Sequence, residues 1–72
     1  MTILESFKKE IAQATEPMEI LGILDGLHCD AKMYCFEHHK EEMIRDKEGN
    51  IQDVSINGMC KYLVSEDHRF NQ

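Results

Sequence analysis

Hydrophobic residues recur at helical spacing through most of the first half of the chain. Ile3, Leu4, Phe7, Ile11 and Ala14 share one side of a helix, with Glu5, Lys8, Lys9, Glu10 and Gln13 mostly outside it or at its edges. Thr2-Ile3-Leu4-Glu5 has the order of a capping box, in which the hydroxyl accepts an amide three residues on and the carboxylate reaches back. A first amphipathic helix is expected from Thr2 to Ala14. Thr15-Glu16-Pro17 interrupts it, because the residue before a proline is pushed out of helical geometry while proline itself suits a first helical turn.

After Pro17 the pattern resumes. Ile20, Leu24, Leu27, Ala31, Tyr34 and His38 follow one another at alternating steps of four and three, and Ile23 and Cys35 widen the stripe they form. One long helix is predicted from Pro17 to Arg45, folded back on the first as a hairpin. Gly22 and Gly26 lie away from the stripe, and each lowers helix propensity by about 1 kcal/mol relative to alanine. The helix is expected to continue through them in weakened form. Alternatives are a break near Gly26 with Asp30 capping a new helix, or close approach of another helix to the glycines.

Asp46-Lys47-Glu48-Gly49-Asn50 is a polar turn. Ile51-Gln52-Asp53-Val54-Ser55-Ile56 alternates like a strand, but its only local partner would be Met43-Ile44-Arg45, so it is read as extended chain laid over the core. Ser55 or Asn57 would cap a last helix from Asn57 to Val64 bearing Met59, Cys60, Leu63 and Val64. The expected fold is mostly α: a single small domain made of a helical hairpin and a short C-terminal helix, with dimerisation into a bundle as one way to cover the remaining apolar surface. The alternative is α+β, with a short hairpin around residues 43–56.

Composition sharpens this picture at three points. A chain of 72 residues removes only about 60% of its unfolded surface on folding, so a partner or a second copy would supply missing burial. Fourteen acidic against eight basic residues give a net charge of −6, which disfavours nucleic acid and anionic lipid and suits a basic or nucleic-acid-binding protein. No apolar run reaches the ~18 residues of a membrane span, and Met1–Glu10 lacks a secretory pattern, so a cytoplasmic location is expected.

Candidate chemistry is sparse. Three cysteines are too few and odd in number for a disulfide framework. Cys35 and His39 are an i, i+4 pair that would suit zinc, with Glu42, Cys60 or His68 as further ligands, while His28 lies about 10 Å from Cys35 along the axis, too far for one ion. The surrounding Glu37, Glu41 and Glu42 disfavour a reactive thiolate, and no phosphate loop or nucleophile motif is present, so an enzyme is not expected. Residues 55–63 have the outline of the start of a helix-turn-helix reader, yet Lys61 and Arg69 stand against Glu66 and Asp67, leaving a DNA-binding regulator as a weak alternative.

Met33 and Phe36 project away from the long helix's stripe, with Glu37, Lys40 and Glu41 nearby. Methionine and phenylalanine ringed by charges make an adaptable docking surface unless the C-terminal segment folds over them. The expected function is a small acidic interaction module that binds and modulates, or inhibits, a larger protein, with no cofactor. A zinc-binding structural domain and the DNA-binding regulator are the alternatives.

Overall fold

Thr2 begins the first helix in the way its sequence implies. In the computed structural model, which describes residues 1–67, the Thr2 hydroxyl accepts the Glu5 amide at 3.2 Å and the Glu5 carboxylate accepts the Thr2 amide at 3.1 Å. Helix α1 spans Ile3–Gln13, and the chain leaves it through an extended Ala14. Pro17 then opens α2, Pro17–His38, which runs unbroken through both glycines.

Gly22 and Gly26 face open space, because a Cβ placed on either would meet nothing within 4 Å. Gly26→Ala is therefore expected to raise stability by about 1 kcal/mol, measured as a shift in urea midpoint at unchanged slope. A loss of stability would mean that the helix backbone there is not regular.

Helix α2 ends seven residues earlier than Arg45, the predicted boundary. His39 leaves helical geometry at φ −142°, ψ 63°, a single 3₁₀ turn follows at Lys40–Glu42, and the chain becomes strand β1, Met43–Arg45. Strand β2, Ile51–Val54, pairs with it antiparallel, setting Met43 opposite Val54 and Ile44 opposite Asp53. The α+β alternative with a hairpin at 43–56 is thus the better description, and the segment read as lone extended chain has a partner. The turn between the strands is held by Asp46, whose carboxylate accepts the Glu48 and Asn50 amides, both at 2.9 Å, and by Gly49 at φ +88°. Ser55 caps α3, Ile56–Leu63, accepting the Gly58 amide at 3.0 Å.

The ends of the described chain meet. Ile3 donates its amide to the Ser65 carbonyl at 2.9 Å, Thr2 and Glu66 form an isolated bridge, and the Ser6 hydroxyl donates to the buried Asp67 carboxylate. The core draws one or more residues from every helix and from β2: Ile3, Phe7, Leu27, Ala31, Cys35, Val54 and Tyr62, with Ile23, Tyr34, Met43, Met59 and Leu63 packed against it. The seam on α2 is therefore Ile23, Leu27, Ala31 and Cys35. Leu24 and His38, assigned to it from periodicity, are exposed. Leu24 lies only about 20° from Cys35 around the helix, so what covers Cys35 stops short of Leu24. The cover at Cys35 is α3, whose Gly58 carbonyl accepts the thiol at 3.4 Å.

Glu42 ties the 3₁₀ turn to α3. Its carboxylate accepts from Ser55 Oγ at 3.0 Å, Asn57 Nδ2 at 2.5 Å and Lys61 Nζ at 3.1 Å. These contacts, Lys61 first, hold its carboxyl below the ordinary value of 4.5. A depressed carboxyl contributes stability that is present above its unfolded value and lost as pH falls through the folded one. Glu42→Gln is therefore expected to lower the melting temperature at pH 7, with the gap to the parent chain closing below about pH 4.5. A gap of constant size from pH 7 to pH 3 would assign the effect to packing.

Candidate partner-binding surface

Because α3 and the strand pair fold onto the Ala31/Cys35 side of α2, the opposite side stays bare. Met33 is 67% exposed and Phe36 46% exposed. Of the residues that could have covered them, Val54 joins the core, Met59 and Leu63 pack against it, and Ile56 is itself exposed. Lys40, which is in the 3₁₀ turn and outside the helix, reaches back over the Phe36 ring at 5.4 Å from its centroid. Glu37 lies beside His38, with 3.8 Å between carboxylate and ring nitrogen. Glu41 turns elsewhere: its carboxylate meets Lys61 at 3.3 Å and His39 Nδ1 at 3.5 Å, and its own backbone amide first, then Lys61 and His39, hold its carboxyl below its usual range. Met33, Phe36 and Lys40 thus share a surface, and Glu41 belongs with α3.

The Cys35 and His39 pair is not assembled as a ligand set. Cys35 is fully buried, its thiol is pushed up by burial and then by Glu42, and it donates to a carbonyl. A metal ligand would have to be the thiolate. His39, as the C-cap of α2, packs its ring against Tyr34 with centroids 5.5 Å apart. Cys60 is exposed, and His68 lies outside the described residues. Among the described residues no group of three or more His, Cys, Asp or Glu side chains is placed to hold a metal ion. His28 is half-buried and lies 2.5 Å from the Asp53 carboxylate, pinning β2 to α2. Asp53 is held low first by the Val54 amide and then by this histidine.

A second feature was not visible from spacing. Between α1 and α2 an open groove of about 530 Å³ runs over Phe7 and Ile23, with Gly22 and Gly26 along its wall. Glu10, Glu19 and Asp30 stand around it, and the Thr15 amide fixes the Glu19 carboxylate at 2.9 Å. The sequence carries a signal for it, since two glycines and several acids fall on one side of α2, but which side α1 would occupy is not encoded in that periodicity. No described helix is long and apolar enough to cross a membrane. No protein-family model, curated protein or solved structure matches the chain.

Proposed function

We propose that this chain is a protein-binding module that docks on a larger protein through the bare side of α2 centred on Met33 and Phe36. The observation that carries the reading is the placement of the C-terminal half. It covers Cys35 and Ala31 and leaves a methionine and an aromatic ring one helical turn apart in solvent, bordered by Lys40 and Glu37. Such side chains adapt to a partner surface and recur at the centres of interfaces. The net charge of −6 favours a partner with a basic surface, nucleic-acid-binding proteins included, over nucleic acid itself. Modulation of that partner follows from occupying part of its surface.

The test is photocross-linking in producing cells, with benzoylphenylalanine at position 36 and, as control, at position 47 in the exposed turn. A discrete heteromeric adduct at 36 and none at 47 is expected. Absence of any adduct at 36, or equal labelling at both, would remove the reading.

A further inference from the structure

We propose that the α1–α2 groove, continued along α2 to Met33 and Phe36, seats one amphipathic helix of net positive charge from a partner protein. The inference rests on the docking reading above and specifies where the partner lies and what it is made of. Phe7 and Ile23 form an apolar floor, and the wall on α2 is the bare backbone of Gly22 and Gly26. Nothing within 4 Å requires either glycine to lack a Cβ, yet each weakens the helix it sits in. A second helix crossing at close range does require them, because small residues let two helix backbones approach.

Charge selects the occupant. Glu10, Glu19 and Asp30 border the groove, and no described residue that lines it is basic. At about 100° per residue, Glu37 falls in line with Glu19, and Met33 falls midway between Gly22 and Gly26. An apolar strip with carboxylates along one side therefore extends from Glu19 to Glu37, about 27 Å at 1.5 Å per residue, and Lys40 stands over its Phe36 end, so the acidic selection acts at the groove end. A helix with an apolar face flanked by lysine or arginine matches that strip in shape and in sign. An acidic helix would set like charges together, and so would a second copy of this chain laid on its own strip.

The test titrates the isotope-labelled full chain with a synthetic leucine–lysine amphipathic helix of matching length and, separately, with its leucine–glutamate counterpart. The lysine peptide is expected to shift the amide resonances of Gly22, Ile23 and Gly26, weakening as salt rises, and the glutamate peptide to leave them in place. Gly26→Gln, which has room to fold, should weaken binding about thirtyfold, the size of a hot-spot loss. Equal affinity for the two peptides, shifts confined to residues outside the groove, undiminished binding by Gly26→Gln, or sedimentation of the free chain as a dimer that Gly26→Gln disrupts would each overturn the proposal. If the cross-linker at position 36 traps a partner while the lysine peptide leaves Gly22 and Gly26 unmoved, the groove assignment falls and the docking reading stands. If no adduct forms, the reading itself is lost.

Discussion

Phe7→Ala is expected to destabilise the chain by about 4 kcal/mol, enough to leave it largely unfolded near body temperature. Phe7 is 4% exposed and contacts the core from α1, so truncation removes its transfer free energy and leaves a cavity that two helices of fixed spacing cannot close. A domain of this length has a total stability on the order of 4–11 kcal/mol, and each kcal/mol moves the melting temperature by about 4–8 °C. A fall of at least about 15 °C, followed by circular dichroism at the helical band, is the expected outcome. Leu4→Ala, three residues away and 39% exposed, serves as control and should cost under about 1 kcal/mol. Similar small losses at both positions would mean that α1 is not part of the cooperative unit. Since Phe7 also floors the groove, its variants are unsuited to testing partner binding.

Gly58→Ala is the second large effect, and its sign is opposite to that of the same change at Gly26. A Cβ at Gly58 would lie 2.7 Å from Val54 Cγ2, 2.8 Å from Glu42 Cβ and 3.1 Å from Cys35 Sγ. None of these is the free end of a long side chain, so β2, the 3₁₀ turn and α2 must all give way. Overpacking of this kind costs about 1–3 kcal/mol, and the separation also strains the Cys35 thiol bond to the Gly58 carbonyl. Against this stands a gain of about 1 kcal/mol in helix propensity, leaving a net loss of about 1 kcal/mol, and up to about 2, by urea denaturation. Combining Gly58→Ala with Val54→Ala should cost less than the sum of the single changes, because the second deletes the atom the first collides with. Strict additivity would place the effect elsewhere than in this contact.

The candidate surface was legible in part. Helical spacing alone separated Met33 and Phe36 from the Leu27/Ala31 seam, but that they stay exposed was decided by where β2 and α3 pack. It did not reveal the groove, because the groove forms only where α1 packs beside α2 and leaves Gly22 and Gly26 along an open wall. Glu41 was grouped with Met33 on the assumption that the helix continued past His38. Once the chain turns at His39, its carboxylate swings toward Lys61.

What the chain determined by itself is local. The Thr2–Glu5 capping box, the proline restart at Pro17 and the four-and-three spacing from Ile20 to Ala31 each act within a few residues, through hydrogen bonds and sterics that need no distant partner. Where α2 stops, and which of its neighbouring apolar positions are sealed, were decided by contacts between residues far apart in sequence. Residues 37–45 are compatible with helix, but β1 gains backbone hydrogen bonds from β2, while Gly58 alone lets α3 approach closely enough to bury Cys35 and Val54. Local propensity differs by tenths of a kcal/mol per residue, and burial of a core side chain is worth about 1.5–3. Packing therefore overrides the pattern at this point, and in doing so leaves Leu24, Met33 and Phe36 facing outward.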